Sequence, residues 1–160
     1  MKKFCLALLC ALGVFAAAAP AVTNFEVARY LGKWYELARY PNWFERGMNN
    51  VTAEYTLLPD GRIQVRNSGW RNGKLHTATG IAKYNGYPDR GEFLISFMRP
   101  FYHEYRIILL NQDYTLAVVT NKNMKRLWIL SRKKELPPET WQMLFKFLKH
   151  NGFDISKLIF

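Results

Sequence analysis

The sequence predicts an all-β fold, an eight-stranded antiparallel up-and-down barrel with a C-terminal α-helix packed outside, on three observations. Turn chemistry recurs at regular short intervals, apolar residues alternate with polar ones between the turns, and the composition changes abruptly after residue 132. Pro59-Asp60-Gly61, Asn72-Gly73, Asn85-Gly86, Pro88 to Gly91, Asn111 to Asp113 and Asn121 to Lys125 supply the turns. Several of these residues tolerate positive φ. Strands are expected near 34–40, 51–58, 62–68, 76–84, 91–98, 104–110, 114–120 and 127–132, and eight strands suit a closed barrel.

The chain opens with Lys2 and Lys3, an apolar run from Phe4 to Phe15 and the small residues Ala16 to Ala19. Together they read as a secretory signal peptide, assigned to residues 1–21, with 22–160 as a single domain. The run is too short to span a membrane. Cleavage after Ala18 or Ala21 satisfies the small-residue rule. Cys10 follows Leu8-Leu9 inside the apolar core rather than a small residue, which disfavours a lipid anchor. Processing removes both cysteines, Cys5 and Cys10, leaving neither disulfide nor thiol nucleophile. The expected product is exported, periplasmic or associated with the outer membrane.

Period-two alternation separates the two faces of each strand. Phe93, Ile95 and Phe97 share one face, as do Tyr105, Ile107 and Leu109, and Ile63 and Val65 alternate with Arg62, Gln64 and Arg66. Other inward faces carry small residues: Ala38, Ala53, and the run Ala78, Gly80 and Ala82. Small inward residues in an eight-stranded barrel leave room for one small ligand. The interior is therefore expected to be hollow, apolar and aromatic, lined by Ala38, Ala53, Tyr55, Val65, Ala82, Phe93, Ile95, Phe97, Tyr105 and Trp128. Arg39, Arg66, Arg99, His103 and Arg106 are candidate contacts for an anionic headgroup at the open end, or else solvated charges on loops and outer faces.

Two motifs frame the barrel. Gly32-Lys33-Trp34-Tyr35-Glu36 lies near its start and Trp128-Ile129-Leu130-Ser131-Arg132 near its end. If the first and last strands meet, the Arg132 guanidinium lies across the Trp34 indole, a contact worth about 0.5 to 2 kcal/mol. Gly32, Trp34 and Arg132 are accordingly structural. Beyond them, Pro137-Pro138-Glu139 fits a helix start, Trp141, Leu144, Phe145 and Leu148 form a buried stripe, and Asn151-Gly152 ends the helix. Met143 and Phe147 fall on the opposite face, either as scattered surface apolars or as a contact patch for another subunit or a membrane.

The net charge is +11, or +9 once Lys2 and Lys3 are removed. A basic surface attracts polyanions, including anionic lipid headgroups and nucleic acid, but export disfavours nucleic acid. A basic polyanion-binding module is one alternative class; barrels that bind single strands usually have five strands and carry their aromatics outside. A lipid-modifying enzyme is another. Catalysis needs a nucleophile with a base, a metal, or carboxylates in register. The chain lacks a G-x-S-x-G elbow, and His76, His103 and His150 lie in separate elements without metal-ligand spacing. Glu36 is the one inward carboxylate candidate. The expectation is a binding protein, not an enzyme, without metal or cofactor.

Asn24-Phe25, the segment Tyr30 to Glu36 and Phe44-Glu45-Arg46-Gly47 resemble the opening of the lipocalins, in particular the bacterial outer-membrane type and their animal relative apolipoprotein D. Leu110-Asn111-Gln112-Asp113-Tyr114 with Ala117-Val118-Val119 is similar to the second lipocalin motif, with Asn111 where aspartate is usual. Trp128 to Arg132 is similar to the third, and the ending from Leu136 to Lys157 also matches. The resemblance implies a barrel that stores or transports a small hydrophobic molecule, in the bacterial branch a fatty acid or lysophospholipid, for maintenance of the cell envelope. It also implies a homodimer as one possible assembly, and places Trp128 at the position of a pocket tryptophan.

Overall fold

The computed structural model describes residues 19–160. The expected leader therefore lies outside the described residues as far as Ala18. From Ala19 the chain runs along the barrel wall. Val22 donates its N–H to the Ile107 carbonyl and accepts from Gly91 N–H, and Ala19 is buried against the outer surface of the sheet.

A short helix, α1 (Val27–Tyr30), precedes eight strands: β1 (Gly32–Arg39), β2 (Asn49–Leu57), β3 (Ile63–Arg71), β4 (Lys74–Tyr84), β5 (Glu92–Met98), β6 (Phe101–Leu110), β7 (Leu116–Thr120) and β8 (Leu127–Ser131). Each pairs antiparallel with the next, and β8 returns to β1, closing the barrel. Closure satisfies every sheet edge. β3 and β4 run farther than the sequence pattern predicts because Asn72 and Gly73 both take positive φ, 52° and 72°, so a two-residue turn joins the strands without a gap. β7 starts later than expected. Asn111 Oδ1 accepts the N–H groups of Thr115 and Leu116, both at 2.8 Å, and holds the preceding residues in a turn.

Two apolar clusters lie on opposite sides of the sheet. The inner cluster fills the barrel around Trp34, Tyr55, Val65, Phe93 and Ile107. The outer one joins Ile108, Leu116, Val118 and Ile129 to Leu144 and Leu148 of α2 (Pro138–His150). Here one expectation is corrected. Phe147 packs with this outer cluster instead of facing water, leaving Met143, 44% exposed, without its neighbour in a patch. The helix sits rotated from the orientation the apolar spacing suggests, with Phe145 turned aside to stack on Trp141 at 5.6 Å.

The barrel floor is closed by Trp34 and Arg132. Trp34 is fully buried and its indole N–H donates to the Tyr30 carbonyl at 2.8 Å. The Arg132 guanidinium lies 4.0 Å from the indole centroid. Its nitrogens donate to the carbonyls of Lys33 and Leu31, each at 2.7 Å, of Tyr30 and Arg29 at 3.1 Å, and of Tyr114 at 3.3 Å. Those carbonyls belong to the entry into β1 and the turn before β7. Gly32, at φ +88°, makes the bend beside them, and a Cβ there would lie 3.4 Å from Arg132 Nη1.

Arg132→Met should lower stability by about 2–4 kcal/mol, because a stacking contact and several charge-assisted hydrogen bonds are lost together. Urea denaturation measures the change. A loss below 0.5 kcal/mol, on the order of an exposed ion pair, would remove the structural role of Arg132.

Candidate functional site

Strand alternation builds the barrel interior in two storeys. In the lower one, Tyr55 on β2, Ile63 on β3, Ala82 on β4, Phe93 and Ile95 on β5 and Tyr105 on β6 converge under α1. They leave a gap of only about 10 Å³, room for little more than one water molecule. The expectation of a hollow interior is corrected here for the lower storey: large aromatics from α1, β2 and β6 meet across the floor and fill it. Tyr105 hydroxyl shares 2.7 Å hydrogen bonds with both Tyr30 and Tyr55 hydroxyls. Burial pushes Tyr30 and Tyr105 well above the usual phenol range and Tyr55 up to about 12, so all three remain neutral hydroxyls.

The upper storey is open. Ala78 pairs with Asn67 in the unbroken β3–β4 register, two residues from Gly80, and so shares the inward face, yet it is exposed. Phe97 continues the face of Phe93 and Ile95 and is 42% exposed. Its ring lies over Gly80, where a Cβ would come within 2.8 Å of the ring and 2.7 Å of the Ser96 carbonyl. Only glycine leaves that wall thin enough. His103 pairs with the inward Ile95 and is exposed, so it looks into the same cup. Asn67 Oδ1 is buried in the wall without a hydrogen-bond partner.

Between the storeys stands a buried polar cluster. Arg39 Nη1 donates to Glu36 Oε1 at 2.7 Å, and Arg39 Nη2 donates to the carbonyls of Met48 at 2.9 Å and Glu45 at 3.1 Å. Glu45 Oε2 lies 3.8 Å from Arg39 Nε and accepts from the Trp128 indole N–H at 3.2 Å and from the Asn42 amide. Asn42 Oδ1 in turn accepts the Glu45 backbone N–H. Burial, reinforced by the neighbouring Glu45 carboxylate, pushes Glu36 up to about 8 despite the guanidinium beside it. A cleft of about 250 Å³ opens next to the cluster, bounded by Asn42, Trp43, Arg46 and Ile159.

A β-bulge creates this arrangement. The β1–β8 register shifts between Glu36 and Ala38, so Glu36 pairs with Leu130 while Ala38 pairs with Ile129 and Arg39 with Trp128. One extra residue reverses the alternation. Ala38, expected inside, faces outward and is buried beneath α2 in the outer cluster; Arg39 is turned inward in its place.

Of the lining residues read from the sequence, Ala53, Tyr55, Val65, Ala82, Phe93 and Ile95 join the inner cluster, with Tyr105 and Trp128 packed against it. Among the headgroup candidates, Arg99 stands exposed on the β5–β6 turn and His103 faces the cup. For two candidates the alternative of outer-face charges holds. Arg66 lies on the outer wall in an ion pair with Glu54, and Arg106 lies outside with Glu92 at 2.9 Å, each paired with the cross-strand carboxylate opposite. Arg39 is present at the mouth but engaged by Glu36 and Glu45. Glu45 and Asn42 carry no sequence signal of a site, since a loop has no periodicity to mark an inward side chain. Among the described residues, no group of His, Cys, Asp or Glu is placed to hold a metal ion.

In unfolded chain Glu36 releases its proton near 4.5, but in the folded protein only near 8. The folded state thus holds the extra proton between those values, and stability should fall as pH rises from about 4.5 to about 8, by an amount of order a few kcal/mol. Glu36→Gln should flatten that slope, as read by urea midpoints across the range. A native protein with pH-independent midpoints there would contradict the buried, protonated carboxyl.

The family model for the lipocalin-like domain matches residues 25–160. The chain is 41% identical over 140 residues to the outer membrane lipoprotein Blc of Escherichia coli K12, covering 86% of this chain and 79% of that protein. It is 40% identical over 143 residues to the outer membrane lipoprotein Blc of Vibrio cholerae, covering 87% and 83%. Rabbit apolipoprotein D is 31% identical over 147 residues, covering 87% and 77%. The fold is similar to insecticyanin from the tobacco hornworm Manduca sexta, with a TM-score of 0.73 at 23% identity over 88% of this chain and 82% of that one. A closed eight-stranded barrel with one external helix, pinned at its floor by tryptophan and arginine, together with this likeness along nearly the whole described chain, makes the protein a member of the lipocalin family.

Proposed function

We propose that the protein binds a single-tailed lipid, a fatty acid or lysophospholipid, in the open upper storey of its barrel and stores or carries it in the cell envelope. Lipocalins bind small hydrophobic molecules, and the observation that carries the reading here is the exposed, inward-facing Ala78 with Phe97 and Gly80 beside it: a wall without a plug. Ala53, Phe97, Tyr105 and Trp128 would meet the tail, and the solid tyrosine floor would limit its depth. A tail burying about eight methylenes gains about 6 kcal/mol, at about 0.8 kcal/mol each, before ordering costs.

The polar cluster bears on the headgroup. With Glu36 protonated at neutral pH, Arg39 is held by the Glu45 carboxylate rather than free to meet a headgroup. Of the five basic candidates read from the sequence, Arg99 and His103 stay available to an anionic or zwitterionic headgroup. The expected leader and the likeness to proteins called outer membrane lipoproteins support a place in the envelope. Binding rather than catalysis is favoured, because Glu36 is locked against Arg39.

Lysophosphatidylcholine or a fatty acid added to the protein should shift the emission of Trp128, and Trp128→Ala should weaken binding about tenfold, a loss of about 1.4 kcal/mol. Ala78→Trp, which fills the cup at an exposed position, should abolish binding without lowering the urea midpoint. Saturable binding that survives Ala78→Trp would place the ligand elsewhere.

A further inference from the structure

The up-and-down topology brings the β1–β2, β3–β4, β5–β6 and β7–β8 connections to one end of the barrel, the end at which the cup opens. Large apolar side chains are exposed on three of them. Trp43 is 75% exposed in the β1–β2 loop, Trp70 and Leu75 face each other across the β3–β4 hairpin, and Met98 and Phe101 flank the β5–β6 turn at 69% and 63%. None of these five belongs to either apolar cluster.

Charge divides along the same axis. The four connections at the mouth carry Arg46, Arg99, Lys122, Lys125 and Arg126, and Arg71 and Lys74 stand at the hairpin tip. The carboxylate these connections contribute, Glu45, is buried against Arg39. At the floor the three connections carry Arg62 and Arg90 against Asp60, Asp89 and Asp113, and the segments before β1 and after β8 add Arg29, Arg132, Lys133 and Lys134 against Glu26 and Glu135, so the two signs nearly cancel there. The net positive charge is thus concentrated around a ring of exposed aromatic and aliphatic tips. Aromatics at the headgroup level with interleaved cations form the side-chain pattern that suits an anionic bilayer surface.

We propose that the mouth of the barrel docks on an anionic phospholipid bilayer, with Trp43, Trp70, Leu75, Met98 and Phe101 entering the interface and the surrounding lysines and arginines meeting the headgroups. This rim is distinct from the helix face considered from the sequence. Docking this way sets the open cup against the membrane, so a tail passes between bilayer and barrel without crossing bulk water; that consequence rests on the lipid-binding reading, whereas the docking itself does not.

The test is co-sedimentation of the protein with vesicles of phosphatidylcholine containing about one-third phosphatidylglycerol, against pure phosphatidylcholine vesicles. Binding to the anionic vesicles should weaken as salt rises, and Trp43→Ser/Trp70→Ser/Phe101→Ser should weaken it tenfold or more. Lys122→Glu/Lys125→Glu should weaken it as well, while Lys146→Glu/Lys149→Glu on α2 should leave it within twofold. The triple serine variant should still bind monomeric lysophosphatidylcholine, and Ala78→Trp should lose that ligand yet still sediment with vesicles; this separates failure of docking from failure of the ligand reading. Absence of binding to anionic vesicles, binding unaffected by the triple variant, or equal loss in the α2 variant would overturn the proposal. So would competition by single-stranded DNA that the triple variant retains in full alongside vesicle binding, which would mark the rim as a general polyanion surface.

Discussion

The guanidinium of Arg132 is the tie on which the barrel depends. A closed antiparallel barrel has its first and last strands far apart in sequence, and contacts that add to their backbone ladder hold that seam shut. Arg132 supplies it by stacking on Trp34 while donating to carbonyls from α1, the start of β1 and the turn before β7. A delocalised, planar cation serves here where lysine would not, because its face covers the indole while its edge reaches several acceptors at once. Desolvation lowers the affinity of Arg132 for its proton, but the surrounding carbonyls leave it charged.

One residue inserted into β1 governs the mouth as that tie governs the floor. Below the bulge, Trp34 and Glu36 face inward; above it, Arg39 does, and Ala38 is released to lie flat beneath α2. The small side chain at 38 then serves helix docking rather than cavity volume. The inward pair Glu36 and Arg39, met by Glu45 from the loop and by the Trp128 indole, makes a polar collar in an otherwise apolar tube. A buried ionic cluster of this kind is weak evidence for stability. Its geometric effect is clear: it ties the β1–β2 loop to the neighbouring strand β8 at the mouth.

Floor and mouth are consequently different materials. The floor is packed aromatic and hydroxyl surface with space for little more than a water molecule. The mouth is thin-walled and ringed by cations and exposed aromatic rings. Rigidity at one end lets the other stay open without loss of register, since β3 and β4 continue in unbroken pairing to a two-residue turn.

The sequence by itself determined the eight strands, their order, the external helix and the contact of Trp34 with Arg132, because period-two alternation, turn residues and paired motifs are local signals. It also carried most of the inner wall: Tyr55, Val65, Phe93 and Ile95 lie on strands whose alternation is uninterrupted. Only the tertiary structure decided the rest. The bulge that reverses Ala38 and Arg39 costs one residue and leaves no mark in composition. The cross-strand carboxylates that keep Arg66 and Arg106 on the outer wall are chosen by register. The rotation that buries Phe147 depends on how α2 meets the sheet, and Glu45 reaches the collar from a loop with no period to read. How far the aromatics fill the floor is likewise a matter of where rings from α1, β2 and β6 meet in space, which no single strand records.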